Sequence, residues 1–241
     1  MAAAKHAITW VIRFDLHEPL WFRDEAMLGE LLEPLAQSAW WPWLEVMGPT
    51  AKGTPIGSLD DVRRTLRGSH ATWLLAQGGP ANTIFTTDAE AWIKLDLAPG
   101  YLGLGAGARR GALDTLKGRA LDEMIEVVCA LHRRWAGRAM LRHATCAPTG
   151  DFTYERPSPP RLANRPLEAI VDVVDPEASV HGKELAAATP PPGCQRIERD
   201  GLVVLRMVHD PTDLSAVQKA ASAHEAWIGP VIGAPIDDEW E

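Results

Sequence analysis

Cysteine is scarce in this sequence: Cys129, Cys146 and Cys194 are the three it contains. Odd in number and far apart, they suggest neither a disulfide framework nor a zinc site, so reduced and at least partly buried thiols are expected. No apolar run reaches the roughly 18 to 20 residues that a membrane span needs, and Met1 to Lys5 lead straight into an alternating segment instead of a signal-peptide core. A cytoplasmic protein with no membrane partner is expected. Basic residues are in the minority too, 24 Lys plus Arg against 32 Asp plus Glu, for a net charge of −8. A nucleic-acid binder needs a basic footprint, so no nucleic-acid partner is expected; a basic protein partner suits this balance better. Catalytic signatures are also missing. There is no Gly-x-Ser-x-Gly elbow, no His-Glu-x-x-His pair and no Walker-type Gly-Lys-Ser/Thr, so the sequence names no catalytic residue and no enzyme is expected.

What is present is ample apolar material, 46% of 241 residues. That is enough for an extensive core in one domain, or in two intimate halves of about 1–112 and 113–241. The clearest period runs from Asp114 to Arg138. Leu116, Ala120, Leu121, Met124, Val127, Val128, Leu131 and Trp135 recur at three- and four-residue steps, with Lys117, Arg119, Asp122, Glu123, Glu126, Arg133 and Arg134 opposite. The spacing predicts a long amphipathic helix, capped by Asp114 or Thr115, with acids early and arginines late as the helix dipole favours. Such a helix would span about 35 Å.

Around it the chain reads as α+β, a mostly antiparallel sheet packed by that helix and two or three further helices. His6 to Leu16 alternates as a strand and, being apolar on both faces, as a central one. A helix follows from about Phe22 to Ser38, with Pro34 inside it as a kink or an early end. Trp40 to Met47 reads as a short strand, and Ser58 to Arg67 as a short capped helix. Thr72–Ala76, Thr83–Thr86, Ala91–Leu97 and Tyr101–Leu104 resemble a meander separated by Gly-Pro turns. Met140 to Cys146 is a further strand, and the proline-bearing segment from Ala147 to Arg165 an ordered surface loop. Leu167 to Val174 fits a short helix or a strand equally. Thr189 to Gly193 is a stiff connector, Leu202 to Val208 a strand, and Asp213 caps a last helix to about Trp227. Its apolar face would be Leu214, Val217, Ala220, Ala221 and Ala223 or Trp227. Two strand-turn-helix units, at Phe14-Asp15 and His209-Asp210, share one grammar that an internal duplication would explain.

Several clusters invite a chemical reading. Gly103, Gly105, Gly107 and Gly111 include Gly103-x-Gly105-x-x-Ala108, a relaxed dinucleotide fingerprint, but no parallel strand with a terminal acid follows. A turned loop is the better reading, and no cofactor is expected. Asp15, His17 and Glu18 could serve a small enzyme as a carboxylate/histidine site or begin a metal site. A third ligand at a recognisable spacing is missing, as it is for His209 with Asp213 and His224 with Glu225, so no metal is expected. Trp40, Trp41 and Trp43 form an aromatic cluster of the kind that anchors protein interfaces. The acidic end Asp237, Asp238, Glu239 and Glu241 surrounds Trp240, a second candidate for partner binding.

Two stretches carry a family resemblance. Leu121 to Cys146 is a helix followed at once by Trp135, Ala136 and a strand; Arg199-Asp200-Gly201-Leu202-Val203-Val204 leads to Asp213 to Trp227 and Gly229. Together, over about a third of the chain by element order and apolar pattern, they resemble the immunity-protein-52 family of bacterial polymorphic toxin systems. The resemblance implies a cytoplasmic, non-catalytic immunity protein that binds and neutralises a cognate toxin domain, often a nuclease; with the acidic charge and the missing catalytic chemistry, occlusion of the toxin's active site is the expected mode. The alternatives are a small enzyme around Asp15, His17 and Glu18, or an adaptor in a larger assembly.

Overall fold

The computed structural model describes residues 7–17, 25–43, 45–46, 54–55, 81–85, 91–98, 101–149, 161–162, 165–166, 168–179 and 181–233. In chain order the elements begin with strand β1 (Ala7–Leu16), helix α1 (Glu25–Ala36) and a 3-10 turn at Trp41–Trp43. Five strands come next: β2 (Glu45–Val46), β3 (Thr54–Pro55), β4 (Ala81–Phe85), β5 (Ala91–Ala98) and β6 (Tyr101–Arg109). Helices α2 (Arg110–Leu116) and α3 (Arg119–Arg134) precede strands β7 (Ala139–Thr149), β8 (Arg161–Leu162), β9 (Arg165–Pro166) and β10 (Val171–Val174). Helix α4 (Gly182–Ala187), strands β11 (Gln195–Arg199) and β12 (Leu202–Arg206), and helix α5 (Leu214–Ile232) complete the elements among the described residues. The fold is α+β. Eight strands form one antiparallel sheet in the order β11-β12-β10-β7-β1-β6-β5-β4, and β2-β3 and β8-β9 make two small ribbons.

The alternation read in β1 places it at the centre of that sheet. Ile8, Trp10, Ile12 and Phe14 are fully buried on one face, while Thr9, Val11, Arg13 and Asp15 are half-buried on the other. β6 and β7 flank it antiparallel, with a bulge in the β7 pairing between Arg13 and Phe14. The sheet separates two cores. β12 sends Leu202 and Val204 into the larger core, with the β1 side chains and Leu121, Met124, Val128 and Leu131 of α3; Val203 and Leu205 enter a smaller one with Leu185 of α4 and Ile228 of α5. Each fully buried Leu, Val, Ile or Met contributes about 1.5–3 kcal/mol relative to exposure, so it is this buried stripe that holds α3 to the sheet. Trp135, just past the end of α3, meets Phe14 edge to face with centroids 4.9 Å apart, joining the helix to the central strand.

The long helix is in fact two. Lys117 takes a left-handed φ of 50°, and α3 starts afresh after Gly118, without a side-chain cap from Asp114 or Thr115. A Cβ on Gly118 would lie 2.7 Å from the His209 carbonyl oxygen, so the incoming β12–α5 loop fixes both the break and the glycine. With 16 residues, α3 spans about 24 Å.

The glycines expected in a loop lie instead inside a strand. Leu102, Leu104, Ala106 and Ala108 alternate buried along β6, which puts Gly103, Gly105 and Gly107 on its other face, paired with Arg13, Val11 and Thr9 of β1. Gly111 is in α2. The segment around Trp40 begins as a 3-10 turn, so the short strand is confined to Glu45–Val46. Residues 171–174 settle as strand β10, with every side chain buried. Asp213 caps α5 by accepting from Ala216 N at 3.0 Å, as its position suggested. The helix runs on through Pro230, however, and Leu214 is half exposed. Helix α4 and strand β11 have no counterpart among the elements expected from the sequence. The latter is one arm of a two-residue hairpin whose turn, Asp200-Gly201, has both φ values positive (53° and 80°), the type I′ geometry that an Asp-Gly pair signals. The predicted helix Ser58–Arg67 and strand Thr72–Ala76 lie outside the described residues. Among the described residues, no helix is long and apolar enough to cross a membrane.

Candidate partner-binding surface

Helices α1 and α3 run antiparallel, and between them lies a groove of about 560 Å³. Pro34, Gln37 and Ser38 line one wall; Glu123, Glu126, Val127, Ala130, Arg133 and Arg134 line the other. Val127 and Pro34 are buried and supply an apolar floor with half-buried Ala130. The rim is charged, with acids at the amino-terminal end of α3 and arginines at its carboxy-terminal end.

Both ends of the groove are held by specific contacts. Pro34 lacks the N–H that would bond to the Glu30 carbonyl four residues earlier, and Arg134 Nη1 donates to that oxygen instead at 3.1 Å. The same guanidinium meets Glu33 at 2.7 Å, and Arg138 meets the Glu30 carboxylate at 2.5 Å. At the other end Ser38 Oγ donates to Leu35 O, Ala39 N donates to Glu123 Oε2 at 3.2 Å, and Trp40 Nε1 donates to Ala120 O at 3.1 Å. Glu123 also accepts from Arg119 at 3.1 Å. On the far flank of α3 the β11–β12 hairpin supplies three more ion pairs: Arg199 with Glu126, Asp200 with Arg133 at 3.0 Å, and Arg206 with Asp122. The rim charges are therefore positioned in advance, and the glutamates keep lone pairs for a further donor.

These contacts assign the tryptophans separate places. Trp40 is fully buried and belongs to the core, because its indole spans from the α1 turn to the start of α3. Trp41 and Trp43 are half-buried and pack against the same core from outside. Asp237, Asp238, Glu239 and Trp240 lie outside the described residues, as does Glu18.

Asp15, His17, Asp213 and His224 make structural contacts. Asp15 sits between Arg13 at 3.3 Å and Arg142 at 2.9 Å, and exposed His17 pairs through Nδ1 with the Gly137 carbonyl at 3.0 Å. Asp213 is the cap of α5, and the His209 carbonyl accepts from Arg206 at 2.8 Å. His224 is fully buried on the inner face of α5: its Nδ1 accepts from Ala169 N at 3.3 Å, and its Nε2 lies 4.0 Å from the buried Asp172 carboxylate. The sequence does not announce that buried pair, because its two members come from elements far apart along the chain. Among the described residues, no three His, Cys, Asp or Glu side chains group as a metal site. The cysteines are free thiols, two buried and Cys194 half-buried; burial pushes Cys129 and Cys194 up to about 11 and raises Cys146 as well.

No family model matches the chain, and no curated protein matches it. Among solved structures it is similar to the T6SS protein PA0821 of Pseudomonas aeruginosa, at 12% identity and a TM-score of 0.46, covering 91% of this chain and 76% of that one. A likeness this slight carries no functional argument.

Proposed function

We propose that this protein is an immunity protein that neutralises a cognate toxin domain by binding over its active site, with the α1–α3 groove as the principal contact. The observation that carries the proposal is the preformed groove itself: an apolar floor of Pro34, Val127 and Ala130 beneath a rim of charges already held in place. Little side-chain ordering remains to oppose association there, which is what a tight inhibitor needs. The net charge of −8 supports a basic partner such as a nuclease, since opposite charge speeds encounter and an acidic surface can stand in for phosphate. The sequence resemblance to the immunity-protein-52 family points the same way. Trp41, Trp43 and Trp240, with Asp237, Asp238 and Glu239, are proposed as secondary contacts.

The test is co-expression with any toxin-like domain that a neighbouring gene encodes. Rescue of growth together with co-purification at moderate salt is the expected result. Continued growth arrest in cells that contain abundant folded protein would exclude an immunity role.

A further inference from the structure

Among the described residues, the strand at one end of the sheet has an unpaired edge with an unusual pattern. β11 pairs on one side with β12, and among the described residues no strand lies on its other side. Its five residues, Gln195, Arg196, Ile197, Glu198 and Arg199, are exposed except for half-buried Ile197. The hairpin fixes which backbone groups face outward. In a two-residue type I′ hairpin the residues flanking the turn exchange both hydrogen bonds, so Arg199 faces Leu202, and Ile197 and Gln195 likewise face β12. The N–H and C=O groups of Arg196 and Glu198 therefore point away from the sheet.

Natural edges are commonly protected by charge, and like charges would repel a second strand. Here the two outward positions carry opposite signs, Arg196 and Glu198, already bonded to each other at 3.0 Å. We infer that β11 is a self-association edge: two copies pair β11 to β11, antiparallel, about a two-fold axis through Ile197. In that register each Arg196 lies opposite the partner's Glu198, their outward backbone groups form the hydrogen-bonded pairs, and the four side chains close into a ring of alternating charge on one face. On the other face Ile197 meets its symmetry mate, and Gln195 lies opposite Arg199. Registers centred on residue 196 or 198 would set arginine against arginine or glutamate against glutamate, so charge selects the Ile197-centred one. The interface is isologous, as a closed dimer requires, and joins the two sheets into one.

The experiment is sedimentation velocity at about 100 µM, a concentration chosen because a single strand pairing supports only a modest affinity. Wild-type protein is expected to dimerise. Glu198→Arg alone and Arg196→Glu alone should each be monomeric, and Arg196→Glu combined with Glu198→Arg should dimerise again because the ring is rebuilt with its signs exchanged. Hydrogen exchange at high and low concentration supplies a second readout, with concentration-dependent protection expected at the Arg196 and Glu198 amides. A monomeric wild type, dimers that persist in both single variants, or amides at 196 and 198 that exchange alike at both concentrations would each overturn the inference.

Discussion

Arg134 donates to the carbonyl oxygen of Glu30, the group that Pro34 leaves without its helical donor. One proline thus creates both a break in the α1 ladder and a docking point for the end of α3. A hydrogen bond from a charged group contributes about 1.5–3 kcal/mol, and this one, being near the surface, is expected at the lower end. Arg134→Ala should lower stability to urea by about 1–2 kcal/mol. In a Pro34→Ala background, where residue 34 can satisfy Glu30 itself, the loss should be clearly smaller. Equal losses in the two backgrounds would show that Arg134 acts only through Glu33.

Gly118→Ala sets two effects against each other. Alanine improves helix propensity by at most about 1 kcal/mol. Forcing a Cβ to 2.7 Å from the His209 carbonyl costs more, because the opposing atom is backbone and cannot swing aside. Net destabilisation of about 1–3 kcal/mol is expected. A higher melting temperature in this variant would mean that the β12–α5 loop yields freely.

The capping carboxylate of Asp213 should be worth about 1 kcal/mol, lost in Asp213→Ala and largely retained in Asp213→Asn. Thermal melts of the three proteins decide it, and equal melting temperatures would remove the cap from the account.

Thiol ionisation gives a pH dependence. Cys129 and Cys194 ionise at about 11 in the folded protein, against 9.0 for an unperturbed thiol, because burial disfavours the thiolate. The folded state therefore binds these protons more tightly than the unfolded state. Their contribution is fully present below pH 9 and is lost as pH rises from about 9 to about 11. Replacing Cys129 by alanine should flatten the fall in stability over that interval. At neutral pH the part-exposed Cys194 should react slowly with thiol reagents, and rapid labelling there would contradict the burial of its thiolate.

These elements differ in how far the sequence announces them. β1 is legible because its neighbours on both sides reinforce a period of two, and α5 because Asp213 is followed by a helical face. The break at Lys117–Gly118 is not, since its cause is the His209 carbonyl, which arrives from far along the chain. β6 was open to reading: Leu102, Leu104, Ala106 and Ala108 have strand spacing, but the glycines between them suggested a turn. The hairpin of β11 carried its own signal in Asp200-Gly201, obscured by the charged residues of an edge strand that buries almost nothing. The groove had no local signature at all. It exists because α1 and α3, well separated in sequence, are drawn together by Arg134, Arg138 and Glu123, and only Pro34 hinted that α1 would need a donor from elsewhere.

The groove as toxin-binding surface is tested most directly by Ala130→Arg. Residue 130 is half-buried in the floor, and an arginine there fits the helix while filling the groove and adding charge to its apolar part. Affinity for the toxin domain should be measured by calorimetry beside a thermal melt of the free variant. The expected result is an unchanged melting temperature with affinity reduced by at least about 2 kcal/mol, as for loss of a hot spot, and loss of growth rescue. Unaltered affinity and full rescue by a folded Ala130→Arg protein would place the toxin contact elsewhere on the molecule.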